Sequence, residues 1–329
     1  MRSSVLEFDA QREEIVAEVA ILIYEQGLTQ QQVADRIGVS RSTVSRLLDK
    51  AQREGIVQIY INTPFGRSLE LQTQLCKRFG LKEARVLVSD SLTYDEMLQR
   101  LGMSAAFYLR GLLKENMRVG IAWGAALHKL VKAFRPFERS SGISVVQMIG
   151  SIGALNQDLV GADLGHDFAE LVHGRYYDLL APLVVETAQL REALMQQRDI
   201  ADVLASARHA DVALVGIGSV ATGVATPARA GYLSEEDLRQ LREANAVGDI
   251  CGQYFDIHGQ VVPIDLNRRV VGITLSDLKE IPLVVGIAGG REKILAILGA
   301  LRGGYISVLI TDSVAAAQLL WADEQSALL

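Results

Sequence analysis

The sequence predicts an α/β protein of two domains: a small N-terminal helix-turn-helix domain over residues 1–62, and a larger domain with a mostly parallel sheet over residues 63–329. Three observations lead to this prediction. The length of 329 residues exceeds the usual size of one domain. Residues 13–55 have the apolar periodicity of three short helices separated by glycines. From Ala84 onward, β-branched runs alternate with helical segments, which is typical of a parallel sheet covered by helices.

The composition is that of an ordinary globular protein. Hydrophobic residues make up 49% of the chain and charged residues 22%, so burial can stabilise the fold without disulfides or metal ions. The two cysteines, Cys76 and Cys251, do not have the spacing of a redox or metal motif. The N-terminus lacks the apolar run of a signal peptide, and no stretch of about 18 apolar residues suggests a membrane span. We therefore expect a cytoplasmic protein that has no membrane partner.

The first two helices are predicted from apolar spacing and from their end signals. Residues 13–26 form an amphipathic helix that Gly27 ends. Thr29 caps a second helix, and Gln32, three residues later, completes a capping box. Gly38 then ends this short helix, because the turn needs a positive φ angle.

The third helix begins after Ser40, its predicted cap, and Gly55 ends it. One face carries the apolar side chains of Val44, Leu47, Leu48 and Ala51. The alternating run Ile56–Ile61 predicts a strand that forms part of a wing. Pro64 and Gly66 mark the linker to the larger domain.

In the larger domain, Leu69–Phe79 and Tyr94–Leu113 are predicted helices. The β-branched runs predict eight strands, with ends uncertain by a few residues. They are Ala84–Val88, Arg118–Ala122, Ile143–Ile149, Tyr176–Leu180, Val212–Ile217, Val247–Tyr254, Leu283–Ala288 and Ser307–Ile310.

The helix pair has the pattern of a DNA-binding helix-turn-helix. Ala34 allows close helix contact, Gly38 makes the turn, and Val44 and Leu47 complete a small core. The net charge of −6 argues against nucleic-acid binding by the whole surface, but residues 39–62 carry a local net charge of +2. The start of a recognition helix enters the major groove of double-stranded DNA. The candidate DNA-contacting residues are Thr29, Gln30, Arg41, Ser42, Thr43, Ser45, Arg46 and Lys50. The alternative is a helical hairpin that binds another protein.

Glycine-rich turns follow three predicted strands of the larger domain. Such turns expose backbone N–H groups at the carboxyl edge of a sheet, where open α/β folds bind small molecules. Asp249 lies at the end of an apolar strand and is a second kind of candidate, with a structural carboxylate as the alternative. The candidate effector-binding residues are Gly120, Trp123, Gly124, Ala125, Gln147, Gly150, Asp249, Gly289, Gly290 and Lys293.

Gly216–Ala221 imitates a dinucleotide-binding fingerprint, so a dehydrogenase is a competing hypothesis. The continuation argues against it, because Gly223, Pro227 and Gly231 would break the helix that must follow. The five histidines lack metal-site spacing, and no GxSxG nucleophile motif occurs. We expect no cofactor, no metal site and no catalytic residue.

Five segments of the sequence together are specific to one family: LTQQQVADRIGVSRSTVSRLLDKAQREGIV, VGIAWG, ALVGIGSV, GDICGQYFD and VVGIAGGREKILAILGALRGGYISVLITD. In their order and spacing they resemble the SorC family of sugar-sensing bacterial regulators over nearly the whole chain. The resemblance implies a winged-helix-like DNA-binding domain. It also implies a Rossmann-like effector domain, related in fold to glucosamine-phosphate and ribose-phosphate isomerases, and a homotetramer or homodimer. The implied effector is a sugar, a polyol or a sugar phosphate.

By the same resemblance, Asp249 and Lys293 correspond to effector-contacting positions, and the loop after Trp123 corresponds to one that holds phosphate in some members. This sequence departs from those members at the loop, because Ala125, Ala126 and Leu127 offer no side-chain donor. A free polyol or ketose is therefore slightly preferred as the effector. An isomerase-like enzyme with an accessory N-terminal interaction domain is the alternative function, since fold does not fix function.

Overall fold

The computed structural model describes residues 15–24, 26–53, 56–57, 68–89, 92–137, 142–151, 164–221 and 233–326. The chain divides into two compact units, Met1–Thr63 and Pro64–Leu329. None of the helices in the described ranges has the length and apolar character needed to cross a bilayer.

The described residues of the N-terminal unit form three helices: α1 (residues 15–24), α2 (Gln30–Ile37) and α3 (Arg41–Arg53). The predicted capping box is confirmed: the Thr29 backbone N–H donates to Gln32 Oε1, and the Gln32 backbone N–H donates to Thr29 Oγ1. The predicted turn is also confirmed, with Gly38 at a φ of 73°. The helices enclose a small core of Val19, Leu22, Val33, Ala34, Val44 and Leu48. Most of the predicted wing strand, and the predicted helix end at Gly55, lie outside the described residues.

The larger unit is built on a seven-stranded sheet whose six strand pairings are all parallel. Its spatial order is β1-β10-β9-β5-β2-β3-β4. The strands are β1 (Glu83–Leu87), β2 (Arg118–Ile121), β3 (Ser144–Gln147), β4 (Arg175–Tyr177), β5 (Val212–Gly216), β9 (Val284–Ile287) and β10 (Val308–Asp312). The remaining strands, β6 (Gly218–Ser219), β7 (Gly248–Ile250) and β8 (Gln253–Phe255), form a small antiparallel sheet. The predicted mostly parallel α/β architecture is confirmed.

Helices connect the strands of the large sheet and cover its apolar side chains. They are α4 (Leu69–Phe79), α5 (Tyr94–Leu112), α6 (Ala125–Ala133), α7 (Leu164–Leu171), α8 (Ala188–Met195), α9 (Arg198–Arg208), α10 (Glu235–Glu243), α11 (Asp265–Arg269), α12 (Leu275–Glu280), α13 (Ile294–Arg302) and α14 (Ser313–Ser326). A capping box between Thr93 and Glu96 begins α5. This long helix packs against α6 and also contacts β1, β9 and β10, so its first turn lies near the strand ends.

One predicted strand is wrong. Val247–Tyr254 is not a single strand but a hairpin of β7 and β8, joined at Cys251 and Gly252. Both residues have positive φ angles, 54° and 73°, and therefore reverse the chain. The sequence concealed this turn, because Cys251 is an unusual residue at a positive φ and the flanking residues continue the apolar pattern.

Candidate functional site

The larger unit contains a cavity of about 320 Å³ at the carboxyl ends of three adjacent strands, β2, β5 and β9. Ala122 and Trp123 follow β2, Ile217 follows β5, and Ala288 follows β9. Parallel strands all point their carboxyl ends at the same edge, so this is where an open α/β sheet forms a binding crevice. A volume of this size suits a small metabolite.

Residues outside the large sheet complete the cavity wall. The first turn of α5 contributes Tyr94 and Leu98, and the hairpin of β7 and β8 contributes Asp249, Cys251 and Gly252. A 3₁₀ turn, Arg291–Lys293, follows β9 and contributes Glu292 and Lys293. The cavity therefore combines an apolar base with charged groups from two separate turns.

The Asp249 carboxyl group lies partly buried beside β6. Its Oδ2 accepts a hydrogen bond from the backbone N–H of Gly252, at 3.2 Å. Burial raises the pKa of Asp249, while the charge of Lys293 and the Gly252 hydrogen bond act in the opposite direction. Since burial disfavours the charged form, a further hydrogen-bond donor would stabilise this carboxylate.

Lys293 is also buried, and its Nζ donates a hydrogen bond to the Ile217 carbonyl oxygen at 2.8 Å. Burial lowers the pKa of Lys293, while the charge of Asp249 opposes this change. At the edge of the cavity, the charge of each group thus opposes the effect of burial on the pKa of the other.

The α6 helix begins at the cavity with an uncapped N-terminus. Gly124 is its N-cap at a φ of 143°, and no side chain bonds to the first backbone N–H groups. Trp123 is held in place by a hydrogen bond from its Nε1 to the Gly150 carbonyl oxygen, at 3.0 Å. The cavity therefore has backbone donors on one side and a fixed indole next to them.

Six of the predicted effector-binding residues line this one cavity: Trp123, Gly124, Ala125, Asp249, Gly289 and Lys293. Four others do not, and each has a structural contact instead. In β2, a side chain at Gly120 would collide with the Met148 sulfur. Gln147 is buried and bonds to Ile149, Ser151 and Tyr176. Gly150 lies against the backbone of Pro182, and the Gly290 N–H donates to Asp312 Oδ2.

Sequence reasoning missed several residues of the cavity wall, including Tyr94, Leu98 and Glu292. Tyr94 and Leu98 belong to α5, and only the packing of that helix over the strand ends brings them to the cavity. Glu292 adjoins Lys293, so the position of Lys293 could have indicated it. Within the described residues, no cluster of three His, Cys, Asp or Glu side chains could hold a metal ion.

The N-terminal unit has a second candidate site, on the surface of α3. Arg41, Ser42 and Arg46 are exposed there, whereas Thr43, Ser45 and Lys50 are partly buried. Ser40 Oγ lies 2.8 Å from both the Ser42 and the Thr43 hydroxyl oxygens. At the start of α2, Thr29 is exposed and Gln30 is partly buried. The Arg41 and Arg46 side chains are therefore accessible to an anionic partner.

Comparisons with known proteins match each of the two units to a family. Residues 63–321 match the family described as "Putative sugar-binding domain", and residues 10–59 match the family described as "Homeodomain-like domain". The transcriptional regulator LsrR of Escherichia coli (strain K12) is 36% identical over 321 residues, covering 97% of this chain and 98% of LsrR. The sorbitol operon regulator of Klebsiella pneumoniae is 34% identical over 307 residues, covering 93% of this chain and 97% of that protein.

A crystal structure of the full-length sorbitol operon regulator SorC from Klebsiella pneumoniae matches with a TM-score of 0.73 and 35% identity. The match covers 93% of this chain and 98% of that one. The chain belongs to the SorC family of sugar-binding transcriptional regulators. This SorC-family regulator thus has the helix-turn-helix and the mostly parallel α/β domain that the sequence predicted, and the predicted resemblance is confirmed.

Proposed function

We propose that this protein regulates a carbohydrate or polyol operon by binding operator DNA, and that a sugar-type effector in the cavity controls its operator affinity. One observation carries the proposal: a single chain combines an exposed basic recognition helix with a metabolite-sized cavity at the carboxyl edge of its parallel sheet. Membership of the SorC family supports both parts.

On the DNA side, Arg41 and Ser42 begin α3 and are exposed. Because the first residues of a recognition helix reach the base edges, we assign base contacts to these two residues. Arg46, one turn later, would bind a backbone phosphate. Supporting contacts to the DNA would come from Thr29, Gln30, Thr43, Ser45 and Lys50.

On the effector side, we assign ligand contacts to the six predicted residues that line the cavity. Asp249 would accept hydrogen bonds from sugar hydroxyl groups, and the free N–H groups at the start of α6 would donate to sugar oxygens. For the effector to act as a switch, the DNA-competent and released states must bind it with different affinities.

We further propose a cytoplasmic homo-oligomer, a tetramer or a dimer, in which paired recognition helices read a pseudo-palindromic operator. Closed symmetric assemblies are the common form of oligomeric regulators, and operator symmetry mirrors protein symmetry. Residues 1–62 would form the DNA-binding domain and residues 63–329 the effector and assembly domain.

The competing function is a sugar-phosphate isomerase-like enzyme with an accessory N-terminal domain. The buried pair of Asp249 and Lys293 favours it, because perturbed acid and base groups are common in active sites. We nevertheless propose that the protein is not an enzyme, since its named relatives are transcriptional regulators. Turnover of aldose or ketose phosphates by the full chain, followed by NMR, would favour the enzyme.

The first prediction tests DNA binding, using a labelled fragment from upstream of the operon and fluorescence anisotropy. Arg46→Ala should weaken operator binding and reduce the slope of log affinity against log salt by about one, because one phosphate contact is lost. Arg198→Ala, which removes an arginine 93% exposed on the larger unit, should change neither quantity.

A double Arg41→Ala, Arg46→Ala variant that keeps the wild-type melting temperature and still binds operator with wild-type affinity would rule out α3 as the recognition helix. Addition of polyols and sugars to the wild-type complex then tests the switch, since the effector must change the anisotropy.

A further inference from the structure

The charged side chains that line the cavity are few and mostly acidic. Among the described lining residues they are Asp249, Glu292 and Lys293. Their formal charges sum to −1, and the sum is the same when Asp249 and Lys293 are both charged or both neutral. An anionic ligand would have to approach two groups of its own sign.

Lys293, the single cation among these three groups, already has partners. Its Nζ donates to the Ile217 carbonyl oxygen at 2.8 Å, and the charge of Asp249 acts on it directly. Because the side chain is buried, turning it toward a ligand would break that hydrogen bond inside the protein. The Lys293 ammonium group is therefore already bonded to a protein oxygen and influenced by the charge of Asp249, which makes it a poor partner for a phosphate.

The Asp249 carboxylate, in contrast, has fewer hydrogen-bond donors around it than it can accept. In the described part of the chain its carboxylate accepts one hydrogen bond from the protein, from the Gly252 N–H, although a carboxylate can accept about four. A ligand hydroxyl supplies the missing donor. The dianionic phosphoryl group of a sugar phosphate has only acceptor oxygens and cannot supply it, so the donor must be a hydroxyl of the ligand.

The start of α6 favours an anionic ligand, because a helix N-terminus carries about half a positive charge. Its donors at the cavity are backbone N–H groups alone, since Ala125 and Ala126 have no polar side-chain atom. A phosphate monoester brings roughly 1.5 to 2 negative charges at neutral pH. Half a positive charge does not neutralise the net negative charge of the lining residues, and it cannot also neutralise a phosphate. Uncharged hydroxyl oxygens can accept hydrogen bonds from the same N–H groups without this repulsion.

We propose that the effector is an uncharged polyhydroxylated molecule, a free sugar or sugar alcohol whose hydroxyls donate to Asp249, and that the cavity discriminates against its phosphate monoester. This inference rests on the proposed function and narrows its ligand to one charge class. The acidic side chains act as the selectivity element, and the charge of Lys293 opposes the effect of burial on Asp249.

The test is a calorimetric and thermal-shift comparison on the full-length protein at constant ionic strength. The ligands are xylitol, ribitol, mannitol, glucitol and fructose, each paired with its monophosphate, together with inorganic phosphate. We expect at least one uncharged member to bind about tenfold or more tightly than its own phosphate, and inorganic phosphate not to compete with it.

The outcomes separate the two hypotheses. Tighter binding of the phosphate partner would overturn the charge-class inference and leave the proposed regulatory function intact. Failure of every ligand in both halves of the panel, with operator binding normal, would overturn the sugar-type effector assigned to this cavity, and the inference with it.

Charge variants give an independent readout, because an affinity ratio does not depend on how much protein is folded. Glu292→Gln should reduce the ratio of the affinity for the uncharged ligand to the affinity for its phosphate ester by roughly three- to tenfold, since one repulsive charge is lost. Glu280→Gln removes an exposed acid outside the cavity lining and should leave the ratio unchanged.

Asp249→Asn should weaken the uncharged ligand about tenfold and also reduce the discrimination against its phosphate. If both cavity variants keep the wild-type ratio, the acidic side chains do not select the ligand and the inference is wrong.

Discussion

Gly218 allows the Asp249 carboxylate to occupy its place in the cavity wall. The two residues face each other across the antiparallel pairing of β6 and β7. A β-carbon added to Gly218 would overlap the Asp249 carboxylate. The position of the proposed ligand-binding group therefore depends on a neighbour that has no side chain.

Gly218→Ala should displace Asp249 and reduce effector affinity by about tenfold or more, because the hydroxyl contacts need a fixed carboxylate. Gly111→Ala is the matched control, since an added β-carbon there meets open space on α5. Calorimetry with the effector compares the two variants. Equal affinity of Gly218→Ala and wild type would show that Asp249 is not a ligand contact.

The sequence predicted single residues of the cavity lining where they come directly after a predicted strand. Trp123 and Gly289 follow predicted strands, and parallel strands bring their carboxyl ends together, so both were predicted at the site. Gln147 also ends a strand, but its amide is buried and forms hydrogen bonds with Ile149 and Ser151, so it is not part of the cavity lining. Strand ends predict the edge of a sheet, while the direction of a side chain depends on local packing.

At the scale of elements, the turn between α2 and α3 depends on the conformation of Gly38. Its φ is 73°, and an added β-carbon would meet no atom within 4 Å. A substitution at Gly38 is therefore disfavoured by the left-handed backbone conformation and not by a steric clash of the new side chain. The angle between the two helices, and so the presentation of Arg41 and Arg46, is maintained by this one residue.

Gly38→Ala should destabilise the N-terminal unit by about 1 to 2 kcal/mol, the cost of a left-handed conformation for an ordinary residue. Asn tolerates this conformation, so Gly38→Asn should retain more of the stability. Hydrogen exchange of the α2 and α3 amides measures the loss, and effector binding should be unaffected in both variants. Identical protection in Gly38→Ala and wild type would contradict the argument.

The elements were predicted well where end signals were strong and poorly where a turn lacked them. Ser68 and Gly80 delimit α4, and that helix matches its predicted range. The hairpin at Cys251 had no such signal before it and was read as one strand. Strand β6 has two residues and pairs only with β7, so no periodicity could have shown it.

At the scale of the whole molecule, Asp323 joins helices that are far apart in sequence. Its Oδ2 accepts from Arg78 on α4 at 2.5 Å, and its Oδ1 accepts from Arg302 on α13 at 2.7 Å. Burial disfavours the carboxylate, but the arginine hydrogen bonds and charges outweigh this and lower the pKa of Asp323 below its ordinary value of 3.8. These bonds connect both ends of the larger unit's chain.

Because the folded-state pKa is lowered, the stabilisation by Asp323 is complete above the unfolded value of 3.8 and is lost as the pH falls through the folded value. Asp323→Asn should therefore cost about 1 to 2 kcal/mol of unfolding free energy at pH 7, and its difference from wild type should shrink below about pH 4. Asp202→Asn, at a carboxylate 73% exposed, serves as the control in urea unfolding. A deficit of Asp323→Asn that stays constant down to pH 3 would contradict the assignment.

The overall architecture followed from the sequence, but the order of the strands did not. Alternating β-branched and helical runs predict a parallel sheet, because parallel neighbours need helical crossovers. The position of β10 between β1 and β9 depends on which crossovers pass over which face. That choice is made by long-range packing, which a linear pattern does not contain.

The indole of Trp123, which hydrogen-bonds to the Gly150 carbonyl oxygen, places a fluorescent side chain in the wall of the cavity. The chain has two tryptophans, and the other, Trp321, is 64% exposed on the last helix. Replacing Trp321 by Phe would leave Trp123 as the single tryptophan, located in the wall of the cavity and excited selectively at wavelengths where tyrosine does not absorb. Its emission would then report occupancy of the pocket in the unlabelled protein, in the presence of operator DNA and on the time scale of stopped-flow mixing.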